Sequence, residues 1–81
     1  MRIRVHFYSY FKELAGSPLL IESMPPGSSV ADLLDSLASR FPKLAAVRGS
    51  TLVAVGADYQ GPTYRLKEQD EVSLFPPVQG G

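Results

Sequence analysis

Val30, Leu33, Leu34, Leu37, Ala38 and Phe41 recur at the spacing of one helical face, and no other stretch of the chain keeps that period for as long. The fold must therefore be organised around a single long helix. The helix starts at Ser28 or Ser29, where Asp32, three residues after Ser29, resembles a capping box with a shorter acid, and Pro42 ends it.

The flanking segments follow the other period. Ile3, Val5 and Phe7 alternate with Arg2, Arg4, His6 and Tyr8, which predicts a strand over residues 2–8 with one face buried. Residues 10–15 suit one helical turn, stopped by Gly16 and Pro18. A second strand is expected over 19–24, followed by a turn at Pro25-Pro26-Gly27. Beyond the helix, 44–47 is ambiguous and Gly49-Ser50 marks a turn. A strand over 51–55, a loop over 56–62, a short strand over 63–66, a turn over 67–70 and a last strand over 71–75 complete the chain. This order predicts an α+β fold, a mixed sheet of four to five strands with one main helix packed on one face. A right-handed crossover sets the first and last strands side by side and parallel. The helix then buries Val30, Leu33, Leu34, Leu37 and Phe41 against Ile3, Val5, Val72 and Leu74.

With 81 residues the chain supports one small core and no second domain, so function is expected on its surface or at its ends. Eight basic and eight acidic residues leave no basic field of the kind that binds phosphate backbones, which speaks against nucleic acid as a partner. No apolar run exceeds four residues, which speaks against a membrane span or a standard signal peptide. Without cysteine there is no disulfide framework, thiolate metal site or cysteine nucleophile, a composition that suits the cytoplasm. His6 has no second histidine to complete a metal site, and none is expected. Asp32 and Asp35 read as helix-dipole partners and solvating charge. The serines lack a G-x-S-x-G setting, and no Gly-rich phosphate cradle occurs. The chain therefore carries no catalytic group of its own that can be recognised, and no bound cofactor is expected.

What remains is the end, Phe75-Pro76-Pro77-Val78-Gln79-Gly80-Gly81. Two prolines after a strand stop ladder pairing and force an extended exit, and two terminal glycines make a backbone thin enough for a narrow channel. The organisation is thus a body over 1–75 and a tail over 76–81. If the first and last strands are parallel neighbours, their outward residues stack in order, with Arg2 and Arg4 near Glu71, then His6 and Tyr8 near Phe75. Tyr8, Phe75 and Pro76 would then form an uncovered hydrophobic docking patch where the tail leaves the body.

This terminal heptapeptide, with Asp70-Glu71-Val72 ahead of it and Phe11-Lys12-Glu13-Leu14-Ala15-Gly16 after the first strand, resembles the small subunits of molybdopterin synthase, which belong to the ubiquitin-like β-grasp sulfur carriers. The resemblance implies that an ATP-using activating enzyme of the ubiquitin-activating (E1-like) kind adenylates the Gly81 carboxylate, which a sulfur donor system converts to a thiocarboxylate. It further implies that Pro77, Val78, Gln79, Gly80 and Gly81 thread into the large subunit of a heterotetramer. That subunit would hold the catalytic residues and the cyclic pyranopterin monophosphate that receives two sulfurs. Within the same fold, a carrier for thiamin or transfer-RNA thiolation and a ubiquitin-like protein modifier are the alternatives; a plain interaction domain is another. Gln69 stands where the family often has Gly, Gly56 where it has Asn, and Lys12 where it has Arg, so a partner contact at Lys12 lacks a planar bidentate donor.

Overall fold

The computed structural model describes residues 1–77. Strand β1 (Arg2–Phe7) leads through helix α1 (Phe11–Ala15) to β2 (Leu19–Ser23), and α2 (Val30–Arg40) and the one-turn α3 (Pro42–Ala45) follow. A 3-10 turn at Arg48–Ser50 then precedes β3 (Leu52–Val55), β4 (Asp58–Tyr59) and β5 (Glu71–Phe75). The five strands form one sheet in the order β2-β1-β5-β3-β4. β1 and β5 are parallel, with Val5 opposite Val72 and Phe7 opposite Leu74, and the other pairs are antiparallel. This is the β-grasp arrangement, with α2 on one face of the sheet.

The core forms as the alternation demands. Ile3, Val5 and Phe7 of β1, Val72 and Leu74 of β5, and Val53 and Val55 of β3 meet Val30, Leu33 and Leu37 of α2, with Phe11 and Leu44 closing one end. Leu34, expected in this layer, is only half-buried, because α2 aims Leu33 and Leu37 straight at the sheet and leaves Leu34 on its flank. Phe41 is likewise half-buried, its ring edge-on to Phe7 at 6.3 Å. The capping box at Ser29 is present: its hydroxyl accepts from the Asp32 backbone N–H at 3.2 Å, and the Asp32 carboxylate accepts from the Ser29 N–H at 2.9 Å. The Ser29 backbone N–H, and after it the Ser29 hydroxyl, hold the Asp32 carboxyl below the usual aspartate range, with a smaller contribution from Arg65.

The remaining differences from expectation lie where the chain is too short to show a period. The segment 56–62, expected as a loop, contains β4, which folds back on β3 with Val55 opposite Asp58. Gly56 at φ +62° makes that turn, a left-handed conformation that glycine adopts without a Cβ penalty. Residues 63–66 form no strand, only an isolated bridge between Ser29 and Arg65. Their backbone instead serves the start of α2: Val30 N–H donates to the Tyr64 carbonyl at 2.9 Å and Ala31 N–H to that of Pro62 at 3.0 Å. First-turn amides have no partner inside their own helix, and a neighbouring extended segment supplies one. Pro42 ends α2 as expected and also opens α3, where its missing N–H costs nothing. Gln69 adopts φ +65°, a left-handed conformation that favours glycine.

Candidate functional site

Among the described residues nothing covers the face of the sheet opposite α2. It displays Leu19 and Ile21 from β2, Arg4 and His6 from β1, Glu71, Ser73 and Phe75 from β5, Leu52 from β3 and Tyr59 from β4. At the end of β1 the Tyr8 N–H donates to the Leu74 carbonyl at 3.2 Å, which sets the Tyr8 ring over Phe75. The two rings stack with centroids 4.7 Å apart and planes 13° from parallel. This is the pairing the sequence predicts.

Phe75 itself is less exposed than expected. Tyr8 covers one side, and Tyr59 approaches it edge-on at 6.5 Å and 64°, so Phe75 is half-buried while Tyr8 is 43% and Tyr59 70% exposed. Leu52, directly opposite Phe75 in the β3 register, extends the patch. Sequence reasoning missed Tyr59 because two residues carry no periodicity. The usable signal was the turn at Gly56 followed by an aromatic, which makes a hairpin rather than a loop.

Polar groups bound the cluster. His6 Nε2 lies 2.9 Å from Glu71 Oε1, and Arg4 Nε lies 3.8 Å from the same oxygen. Arg4 meets Glu71 as the register predicts, but His6 reaches toward Glu71 rather than joining the aromatic group, since it stands opposite Ser73 and Glu71 offers it an acceptor. Pro76 and Pro77 are half-buried directly after Phe75. Lys12 is exposed on α1, whose first amides are held by the Tyr8 and Ser9 carbonyls. The candidate tail residues Val78, Gln79, Gly80 and Gly81 lie outside the described residues. Among the described residues no group of three or more His, Asp or Glu could hold a metal ion, and no helix is long and apolar enough to cross a membrane. The arrangement is an exposed aromatic cluster with a charged rim at the root of the chain's last segment, a composition that binding hot spots share.

Comparison with known proteins agrees with this geometry. Residues 5–81 match the model of the ThiS family. The molybdopterin synthase sulfur carrier subunit of Arabidopsis thaliana is 33% identical over 81 residues, which cover 100% of this chain and 84% of the relative. The solution structure of small archaeal modifier protein 1 (SAMP1) from Methanosarcina acetivorans superposes with a TM-score of 0.84 at 28% identity, covering 99% of this chain and 96% of that one. A protein-protein complex of subunits 1 and 2 of molybdopterin-converting factor from Helicobacter pylori 26695 contains the same fold, with a TM-score of 0.69 at 21% identity and 100% of both chains covered. With family model, full-length relative and fold in accord, this chain belongs to the ThiS family.

Proposed function

We propose that this chain is a sulfur carrier of molybdenum cofactor biosynthesis, the small and non-catalytic subunit of molybdopterin synthase, with the Gly81 carboxylate as its reacting group. The observation that carries the reading is the position of the aromatic cluster: β5 ends inside it at Phe75 and runs directly into Pro76-Pro77. A partner that grips Tyr8, Phe75, Pro76 and Tyr59 therefore holds the body at the root of the segment it must aim. The 33% identity, over the whole of this chain, to a subunit named as a sulfur carrier supports the same reading.

The chemistry follows from the end group. A carboxylate is a poor electrophile until one oxygen becomes a leaving group. An E1-like activating enzyme uses ATP to form the Gly81 acyl adenylate with release of pyrophosphate, and sulfide sulfur from a donor system displaces AMP to leave the thiocarboxylate. That group is a nucleophilic sulfur source needing no cysteine, which agrees with a composition without one and with a cytoplasmic setting. In the large subunit, which supplies the catalytic residues, the thiocarboxylate sulfur bonds to a pyranopterin side-chain carbon as an oxygen group leaves that carbon, and water then cleaves the acyl–sulfur bond, leaving the sulfur on the pterin and returning the Gly81 carboxylate. Pro77, Val78, Gln79 and Gly80 form the spacer, slender enough at its end to thread a channel.

The likeness to SAMP1 favours a second reading, a protein modifier whose Gly81 forms isopeptide bonds with lysines. One experiment separates the two. The chain is incubated with the activating enzyme, ATP and sulfide, then with the large subunit and pyranopterin precursor, and followed by intact-mass spectrometry. The carrier reading expects exchange of one oxygen for sulfur on the chain, molybdopterin formation, and loss of both on deleting Gly81. Full transfer by the Gly81 deletion overturns it, and lysine adducts without molybdopterin establish the modifier.

A further inference from the structure

β2 is an edge strand, yet its Glu22 points into the protein and is only 4% exposed. Ser36 Oγ donates to Glu22 Oε2 at 2.6 Å and Arg40 pairs with Oε1, both from the same face of α2. Only the Glu22 end of this pair is buried, the Arg40 side chain being 48% exposed, so the carboxylate gives up its hydration for a solvent-screened partner, a cost that an apolar residue avoids. Leu20 and Met24 flank the position on the same side of the strand. The charge therefore calls for a reason other than core stability.

The backbone of the edge supplies one. Met24 N–H donates to Met1 O at 2.8 Å and Phe7 N–H to Pro18 O at 2.9 Å, so in the antiparallel ladder Leu20 and Glu22 direct their backbone groups to β1. Leu19, Ile21 and Ser23 direct theirs off the edge. The Ser17 hydroxyl occupies Leu19, donating to its carbonyl at 2.8 Å and accepting from its N–H at 3.3 Å. Ile21 and Ser23 keep free N–H and C=O groups among the described residues. Two copies of the chain, antiparallel through β2, satisfy all of these by pairing Ile21 of each with Ser23 of the other. This register is self-complementary, leaves the Ser17 cap in place and places the exposed Ile21 side chains within one continuous sheet. It also sets Glu22 directly opposite its own copy in a non-hydrogen-bonded pair, with Cβ atoms about 5 Å apart and both carboxylates on the buried side.

We propose that the β2 edge is a pairing surface for a second copy of this chain, and that Glu22, held in place by Ser36 and Arg40, keeps it closed. An inward-pointing charge on an edge strand is a known defence against strand addition. Here it opposes the register that pairs both Ile21 and Ser23 while leaving the Ser17 cap intact; the alternative, Ile21 opposite Ile21, sets Ser23 against the Leu19 groups that Ser17 already occupies. The chain stays monomeric, and its open face is left to partners of other kinds.

Sedimentation velocity from micromolar to millimolar concentration tests this, with circular dichroism as the check on folding. Wild type is expected to be monomeric throughout. The double variant Glu22→Leu/Arg40→Leu, and to a smaller extent the isosteric Glu22→Gln, should dimerise with an association constant raised about tenfold or more. Adding Ile21→Pro, which removes an N–H that faces off the edge and spares the β1 ladder, should return the double variant to monomer. The proposal is overturned if Glu22→Gln stays folded and monomeric at every concentration. It is equally overturned if the double variant dimerises regardless of Ile21→Pro, or if wild type is already a dimer that Ile21→Pro dissolves.

Discussion

The Tyr8 ring lies flat against that of Phe75, 4.7 Å away, although one residue follows the first strand and the other ends the last. The parallel pairing of β1 and β5 is the cause, and it ties the start of the body to the root of the tail. A partner that docks on this stack fixes the direction in which residues after Phe75 leave the sheet.

Tyr59 offers the cleanest test of that surface, because it is 70% exposed and supports Phe75 only by its edge. Tyr59→Ala should weaken binding to the molybdopterin synthase large subunit by about tenfold while moving folding stability by no more than about 0.5 kcal/mol. Phe75→Ala should cost about 2 kcal/mol or more in binding, and also about 1 kcal/mol in stability as the stack is lost. Isothermal titration of both variants decides the matter, and unchanged affinities would refute the docking role.

The phase of α2 makes a graded prediction. Leu33 is fully buried and Leu34 half-buried, so Leu33→Ala should destabilise by about 2–5 kcal/mol and Leu34→Ala by clearly less. Urea denaturation of the pair measures the difference; equal losses would place Leu34 in the core layer after all.

Gln69 carries a left-handed backbone at φ +65° in the turn before β5, where its N–H donates to the Arg2 carbonyl at 2.8 Å. A side chain in that region costs about 1–2 kcal/mol, while glycine loses about 0.5–1 kcal/mol more entropy on folding. Gln69→Gly should therefore stabilise by up to about 1.5 kcal/mol. A lower melting temperature for the variant would show the turn to be unstrained.

Asp32 links stability to pH. Its folded carboxyl is held below the ordinary aspartate value by the Ser29 hydrogen bonds, so its contribution is complete above the unfolded-state value near 3.8 and is lost as pH falls through the lower folded value. Asp32→Asn should flatten the acid limb of the stability curve below about pH 4 and leave its neutral-to-basic shape unchanged. Ser29→Ala, which removes the cap on the Asp32 amide, should cost about 1 kcal/mol at neutral pH. Acid titrations of melting temperature compare the three proteins, and an acid limb identical in wild type and Asp32→Asn would dismiss the linkage.

Much of this protein was determined by sequence alone, and the reason is local. Alternation at Ile3, Val5 and Phe7, the helical run from Val30, the Ser29 cap and the prolines after Phe75 each report a conformation through neighbours a few residues away. Right-handed crossover then set β1 beside β5, and with it the stack of Tyr8 on Phe75. Tertiary structure alone decided the rest. Tyr59 joined the aromatic patch because Gly56 turned a two-residue strand onto β3, and two residues are too few to display a period. Residues 63–66 left the sheet because the first amides of α2 needed acceptors. Leu34 moved to the flank because helix rotation is chosen by packing against the whole sheet. Glu22 came to be buried because Ser36 and Arg40, distant in sequence, satisfied its carboxylate, and a charge enters an interior only where such partners are waiting.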